Sequence, residues 1–332
     1  MDAIRRHLRV LGPTWTHWTT LPLIAWPFYV VVIRREVRWE FTAMFFVVLA
    51  LAFIGPRTRR LYVGLFPIAV VPIVYDSMRF FKNVGISPEN IHVCDLRAHE
   101  LAFFGFGSGL SRVTLQDYFL EHHWDAVDLY CAIPYGTFIY VSVLFALYLY
   151  FKSFIALQRY TWTFLCMNIA AFVTYHLYPA APPWYYHLTH SCVADLGTHA
   201  SEGSHLANVD RLLGISYFKS FYGRSADVFG AVPSLHVAYP LLLLIEGWAL
   251  FGVLGRSLAI LFTASMCFAA IYLDHHYVID ILLGLTYAGA IYSVFRTLFA
   301  RLENRRTATD APALSPPEGP LSPDLDGAGS AQ

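Results

Sequence analysis

The chain has 332 residues, of which 57% are hydrophobic and only 14% are charged, and its formal net charge is zero. Soluble domains contain about a quarter charged residues, so this composition excludes an ordinary soluble protein and indicates a membrane protein. The zero net charge also argues against nucleic-acid binding. We expect no signal peptide, because the short basic run at the start leads into polar residues rather than a compact apolar core.

Hydrophobic segments recur along the chain, and a helix needs about 20 mostly apolar residues to cross a bilayer. Two short segments, near 18–33 and 39–55, fit either a tilted spanning pair or a shallow hairpin. Six strong spans follow, at about 61–80, 126–151, 158–178, 233–254, 257–274 and 276–298. Strand alternation and internal repeats are not evident, so the sequence predicts an all-α, polytopic membrane helix bundle.

Three regions follow from this pattern. Residues 1–60 hold the two N-terminal hydrophobic segments, and residues 61–300 form a six-helix catalytic membrane domain. Residues 303–332 are rich in Pro, Ser, Ala and Gly and contain no aromatic residue. Such a segment cannot bury enough apolar surface to fold, so we predict a disordered cytoplasmic tail.

Basic residues predict the orientation of the bundle, because cytoplasmic loops are enriched in Lys and Arg. Four groups fall on one side, the expected cytoplasmic side: Arg57, Arg59 and Arg60; Lys152 and Arg159; Arg256; and Arg296, Arg301, Arg305 and Arg306. The opposite face carries 81–125, 179–232 and the turn near 274–276, and should be periplasmic or lumenal. If both N-terminal segments span, three arginines fall on the wrong side for this rule: Arg34, Arg35 and Arg38. We expect the cell (inner) membrane, with the active site on the non-cytoplasmic face.

The five cysteines show no spacing typical of a metal site. Cys131, Cys166 and Cys267 lie in apolar stretches and fit plain core positions. Cys94 and Cys192 lie in polar segments and would either pair, if both face an oxidising compartment, or stay free.

The tract Tyr-Leu-Asp-His-His-Tyr-Val-Ile-Asp at 272–280 carries the strongest chemical signal. His276 and Asp280 are four residues apart, so on a helix they share a face. A carboxylate that is hydrogen-bonded to one nitrogen of the histidine ring fixes the ring's tautomer and raises its basicity. The other ring nitrogen is left free to attack. The competing interpretation is an interfacial pair that only caps a helix.

The tract Phe-Gly-Ala-Val-Pro-Ser-Leu-His at 229–236 carries a second signal. Pro233 suits the first turn of a helix, where Ser234, His236 and free backbone N–H groups can face an anion. By the predicted topology, His236 and His276 begin two helices on one membrane face. Two histidines at one depth suit phosphoryl transfer, in which one attacks phosphorus and the other protonates the leaving oxygen. An ordinary helix start with an interfacial histidine is the alternative.

A third tract ends a predicted helix in a cluster of prolines and aromatic residues at 175–185. Interfacial aromatic residues followed by a proline-rigidified loop explain this tract better than direct catalysis does. His176 remains a candidate for lining the head-group pocket.

At these residues the chain resembles the type 2 phosphatidic acid phosphatase superfamily, and more closely its inositol phosphorylceramide synthase branch. The likeness lies in YPAAPPWY at 178–185, VDRLLG at 209–214 leading into FGAVPSLH at 229–236, and YLDHHYVID at 272–280. It covers roughly residues 60–300. The resemblance implies a ping-pong mechanism in which His276 forms a phosphohistidine, Asp280 orients it, and His236 protonates the leaving group and later deprotonates the acceptor.

The chain departs from the superfamily's phosphatases at the phosphate clamp. Their Ser-Arg pair before the nucleophilic histidine corresponds here to Ala269 and Ala270, a departure that the synthase branch shares. It favours transfer over hydrolysis. Candidate substrate-binding residues, including three possible sources of the missing positive charge, are Ser234, His275, His176, Arg79, Arg211 and Arg224.

The sequence thus predicts a phosphotransferase that moves a phospho-head group, such as inositol phosphate from phosphatidylinositol, to a lipid alcohol such as ceramide or diacylglycerol. The alternative is a lipid or polyprenyl phosphate phosphatase with water as the acceptor. A transporter or scaffold would need charged residues at mid-span, which are not evident. A zinc enzyme is disfavoured, because adjacent histidines point apart on a helix. We expect no cofactor, lipid donor and acceptor as partners, and no nucleic acid.

Overall fold

The computed structural model describes residues 18–36, 39–200 and 205–310. Its helices are α1 (Thr20–Phe28), α2 (Trp39–Phe53), α3 (Pro56–Ser77), α4 (Cys94–Phe104), α5 (Leu115–Glu121), α6 (Asp125–Lys152), α7 (Phe154–Leu177), α8 (Pro183–Thr189), α9 (Leu206–Leu213), α10 (Tyr217–Tyr222), α11 (Leu235–Gly247), α12 (Val253–Tyr272) and α13 (Val278–Asp310). A π-helical turn, Tyr29–Ile33, continues α1. Within the described ranges, β-structure is limited to isolated bridges. The predicted all-α, polytopic membrane bundle is confirmed.

Four helices are long and apolar enough to cross a membrane by length and composition: Pro56–Phe80, Asp125–Lys152, Val253–Tyr272 and Val278–Arg305. The other two predicted spans are also helical. α7 is 24 residues long and contributes a large share of the buried core, including Leu157, Tyr160 and Met167. α11 has 13 residues, which is about 20 Å of helix and shorter than the hydrocarbon core.

The predicted span 233–254 is therefore too long at its C-terminal end, and the local packing there explains why. A side chain at Gly247 would lie 2.3 Å from the ring of Phe251, which folds back onto the glycine. The N–H groups of Leu250 and Phe251 both donate to the Gly247 carbonyl at 2.9 Å. The chain turns at this point and starts α12 at Val253.

At this same end, Arg159 of α7 donates to the buried carboxylate of Glu246 on α11, at 2.9 Å from Nε and 2.5 Å from Nη2. The pair places the start of α7 and the end of α11 together. α11 lies against α12 and α13 and also against α6 and α7, so four helices surround it. Its other end lies at the opposite face of the bundle.

The N-terminal helices lie against the outside of α3. Thr19 bonds to Tyr62 near the start of α3 at 3.0 Å, and Trp26 donates to Asp76 near its end at 3.1 Å. α1 and the π-helical turn that continues it therefore lie along α3, and the connection to α2 lies at the end of α3 that faces the long loops. Three arginines fall on the side of the long loops if both N-terminal segments span the membrane. One of them, Arg38, lies outside the described residues.

Helix α13 continues to Asp310, so the first residues of the predicted tail are helical. Residues 311–332 lie outside the described ranges.

The long connections 81–124 and 178–232, as far as they are described, form a layer of short helices over one end of the bundle, which we call the cap. A disulfide joins Cys94 at the start of α4 to Cys192 after α8. Ala180 is bridged to His92 on one side and to Gly230 on the other. These contacts bring the proline-aromatic tract to the segment that leads into α11.

Candidate active site

His236 and His276 face each other at the boundary between the bundle and the cap. Nδ1 of His236 lies 3.0 Å from Nε2 of His276. His236 is the second residue of α11, as the sequence predicts. His276 lies in the turn before α13, two residues earlier than that helix begins. The turn forms because the N–H groups of His275 and His276 both donate to the carbonyl of Ala270, at 3.1 and 2.9 Å.

Asp280 lies behind the His276 ring and has no exposed surface. Its Oδ2 lies 3.4 Å from Nδ1 of His276 and accepts the N–H of Tyr277 at 2.9 Å. Nδ1 therefore faces the carboxylate and Nε2 faces the second histidine. Burial lowers the pKa of His276 to about 3, so its ring is neutral at neutral pH. A neutral ring has the free electron pair that a nucleophile needs.

The two histidine-bearing segments come together through a close backbone contact. A side chain at Gly284 of α13 would lie 2.2 Å from the carbonyl oxygen of Ser234, so only glycine fits there. The N–H of Ser234 donates to the Asp280 carbonyl at 3.0 Å. The start of α11 is thereby fixed against the first turns of α13.

Several buried polar atoms around the pair lack a hydrogen-bond partner within the described residues: Ser234 Oγ, His275 Nε2, Tyr135 Oη and Asp280 Oδ1. His275 is stacked between the rings of Tyr135 and Tyr222, each 5.0 Å away. Tyr135 is also stacked on His236 at 4.7 Å. Unpaired buried polar groups are costly. A bound substrate with acceptor oxygens would satisfy the side-chain donors of Ser234, His275 and Tyr135.

The turn that carries His276 is held to the cap by His187 of α8. Its Nδ1 lies 2.7 Å from Asp274 in the turn, and its Nε2 lies 2.8 Å from Asp117 of α5. Arg97 of α4 donates to the other oxygen of Asp117 at 2.8 Å. Burial disfavours the charged ring, but the hydrogen bonds to Asp117 and Asp274 outweigh it and raise the pKa of His187 to about 9. His187 is therefore an imidazolium between two carboxylates at neutral pH.

Asp274 itself has a left-handed backbone, with φ of 62°, which is uncommon for a residue other than glycine. Its carbonyl accepts the N–H of Trp184 at 3.0 Å. The side chain and the main chain of Asp274 are thus both held by α8, which stabilises this conformation next to His275.

Two more cap residues support the turn. Gln116 of α5 donates to the carbonyl of His276 at 2.8 Å. Glu100 of α4, which is fully buried, accepts the N–H groups of Val278 and Ile279 at 2.9 and 3.3 Å. A carboxylate at these N–H groups satisfies the otherwise unpaired donors at the start of α13.

The three candidate clamp arginines are engaged elsewhere. Arg79 is paired with Asp76, Arg211 donates to Asn208 at 2.5 Å, and Arg224 donates to Glu40 at 2.8 Å. In the described part of the chain, none of them hydrogen-bonds to the histidine pair. The structure thus brings Ser234 and His275 to the pair but not these arginines, and it places His176 on a separate cavity.

Four residues around the histidine pair were not predicted from the sequence: Tyr135, Gln116, His187 and Glu100. The buried carboxylate in the polar helix 94–104 and the tyrosine within a long apolar span were visible signals. Nothing in the sequence, however, linked residues 70 to 179 positions apart.

Comparisons with known proteins place this chain in a family. The model of the PAP2 superfamily matches residues 109–294. Phosphoinositol dihydroceramide synthase of Bacteroides thetaiotaomicron is 38% identical over 256 residues, which cover 76% of this chain and 82% of that protein. The inositol phosphorylceramide synthase catalytic subunit AUR1 of Saccharomyces cerevisiae is 29% identical, over 84% of this chain and 66% of the yeast protein. Inositol phosphorylceramide synthase of Candida albicans is 27% identical, over 81% and 56%. No solved structure matches this chain.

Proposed function

The chain belongs to the PAP2 superfamily, and on that premise we propose that it moves a phospho-head group between lipids through a phosphohistidine at His276. The head group we propose is inositol phosphate, taken from phosphatidylinositol, and the acceptor is a ceramide-type lipid alcohol. The names of the similar bacterial and fungal synthases support both choices.

The first half-reaction uses both histidines. The Nε2 electron pair of His276 attacks phosphorus, and the bond from phosphorus to the diacylglycerol oxygen breaks. His236, which is an imidazolium in the complex with the donor, gives its Nδ1 proton to that oxygen. Diacylglycerol leaves as a neutral alcohol and His236 becomes a neutral imidazole. Asp280 accepts the hydrogen bond from Nδ1 of His276 and stabilises the positive charge that develops on the ring.

The second half-reaction reverses these roles. The neutral His236 takes the proton of the acceptor hydroxyl, whose oxygen then attacks phosphorus. The nitrogen–phosphorus bond breaks and returns its electron pair to Nε2 of His276. Each proton transfer of this kind contributes roughly 10²- to 10⁴-fold in rate.

The observation that carries the proposal is the direct approach of two ring nitrogens, 3.0 Å apart, with a buried carboxylate behind one of them. A phosphoryl group enters between these nitrogens and separates them. The buried donors of Ser234, His275 and Tyr135 then have phosphoryl oxygens to bind, which supports a neutral cradle in place of an arginine clamp.

We also propose that the cap faces the periplasm or a lumen. The Cys94–Cys192 disulfide supports this orientation, because such bonds persist in oxidising compartments. It agrees with the basic residues at the other end of the bundle.

The test supplies the purified protein with phosphatidylinositol labelled in its head group, with and without ceramide or diacylglycerol. Label in a new lipid that depends on the added alcohol supports transfer. Release of label only as a water-soluble phosphate would assign the protein to lipid phosphatases instead. Turnover that persists in His276→Gln would contradict both mechanisms.

A further inference from the structure

A cavity of about 390 Å³ lies between the ends of α3 and α7, on the same face of the bundle as the histidine pair. Its walls are mostly apolar and include Val74, Phe81, Ile169, Phe172 and Val173. Ile169 and Val173 in this wall are 40% and 52% exposed, so the cavity opens at the surface of a helix that we place in the membrane. The cavity is therefore open to the hydrocarbon of the membrane and shaped for an apolar ligand.

Three titratable side chains give the cavity a polar part: Lys82, His176 and Asp227. Asp227 accepts the N–H of Phe229 at 3.0 Å through one oxygen. A carboxylate next to a cation suits a neutral group that both donates and accepts hydrogen bonds, such as a hydroxyl or an amide.

One residue connects this cavity to the candidate active site. The ring of Tyr175 forms part of the cavity wall, and its hydroxyl donates to the carbonyl of Pro233 at 2.9 Å. Pro233 lies three residues before His236, at the start of α11. A ligand in the cavity is thus separated from the segment that carries His236 by a single aromatic ring.

We propose that this cavity binds the hydrocarbon chain of the lipid-alcohol acceptor and orients its polar end toward His236. A lipid acceptor must keep its chain in an apolar medium while its hydroxyl reaches the phosphohistidine, and the cavity meets both needs. The inference rests on the proposed transfer reaction and adds the site that selects the acceptor.

The experiment narrows the cavity at its lipid-facing mouth with Val173→Trp, a position where a larger side chain has room outside the bundle. Leu144→Trp, on the lipid-exposed face of α6, is the matched control. Each purified variant is given labelled phosphatidylinositol and ceramides with acyl chains of six or sixteen carbons. Phosphoenzyme formation from the donor alone is measured first.

Val173→Trp should raise the KM for the sixteen-carbon ceramide about tenfold, and that for the six-carbon ceramide less. Phosphoenzyme formation should match that of the unaltered protein, and Leu144→Trp should change neither quantity. An unchanged acceptor KM in Val173→Trp, or an equal rise for the donor, would overturn the assignment of the cavity. Failure of the unaltered protein to form a phosphoenzyme would instead refute the proposed reaction.

Discussion

His236 and His276 approach each other to 3.0 Å, but their surroundings differ in kind. Aromatic side chains surround His236: Tyr135 and Phe138 lie 4.7 and 4.9 Å from its ring, and the Tyr222 hydroxyl lies 3.5 Å from its Nε2. His276 instead lies in a turn held by polar contacts from the cap. The difference suits the proposed roles, because a proton shuttle needs an adjustable ring and a nucleophile needs a fixed one.

The largest expected effect comes from His276→Gln, which removes the proposed nucleophile. Both half-reactions should fall by about 10⁴-fold or more, and no label should remain on the protein after incubation with labelled phosphatidylinositol. A p-nitrophenyl phosphodiester should not restore activity, because a better leaving group cannot replace a missing attacker. Stable labelling of this variant would contradict the assignment.

His236→Gln should differ from His276→Gln in one respect. Transfer between lipids should fall by about 10²- to 10⁴-fold, because the leaving alcohol no longer receives a proton. A p-nitrophenyl phosphodiester needs no such proton, so it should still label the protein at a rate near that of the unaltered enzyme. An equal loss of rate with both donors would show that His236 does not act as the acid that protonates the leaving alcohol.

Asp280→Asn keeps the shape of the side chain but removes its charge. Transfer should fall by about 10²-fold or more, since the His276 ring loses the group that fixes its tautomer and stabilises its charge. Circular dichroism and thermal unfolding should remain close to those of the unaltered protein. A loss below about threefold would mean that the 3.4 Å contact has no role in the reaction.

His187→Asn tests the fastening of the turn by the cap, and should lower kcat about tenfold with little change in KM. Because the pKa of His187 is raised to about 9, above the usual value of about 6.5, its contribution is complete below pH 6.5 and is lost as the pH rises through 9. Asp117 and Asp274 face its ring, with Arg97 behind Asp117 and His205 nearby.

The kcat of the unaltered protein should therefore fall above about pH 9. The kcat of His187→Asn should show no such fall at alkaline pH. His190→Asn, on an exposed left-handed residue of the same loop, is the matched control and should behave like the unaltered protein. An identical pH profile in His187→Asn would contradict the role of the imidazolium.

The smallest effect is expected for Arg224→Ala. Arg224 is half exposed and bonded to Glu40, and such surface pairs contribute about 0–1 kcal/mol. Transfer should change less than about threefold. A loss of 10²-fold would restore Arg224 as the missing phosphate clamp and would argue against the neutral cradle.

The sequence was sufficient for the parts of the site that depend on local spacing and topology. His236, His276 and Asp280 follow from helix starts on one face and from a four-residue interval. The Cys94–Cys192 pair was left open because connectivity across 98 residues cannot be deduced from composition.

The contacts that fasten His276 could not be predicted. His187 contacts Asp274 and Asp117 only after α5, α8 and the turn that carries His276 have packed together. Each of these segments is short and polar. The early end of α11 likewise depends on a ring folding back onto Gly247. Both features arise from tertiary packing, which overrides local patterns.

The proposed mechanism requires a covalent bond between the phosphorus of the head group and Nε2 of His276. The most direct measurement is mass spectrometry of peptides from protein quenched at alkaline pH during turnover of phosphatidylinositol without an acceptor. We expect an inositol phosphate adduct on His276 that disappears when ceramide is added before quenching. Steady turnover without an adduct on this histidine, or with the adduct on another residue, would contradict it.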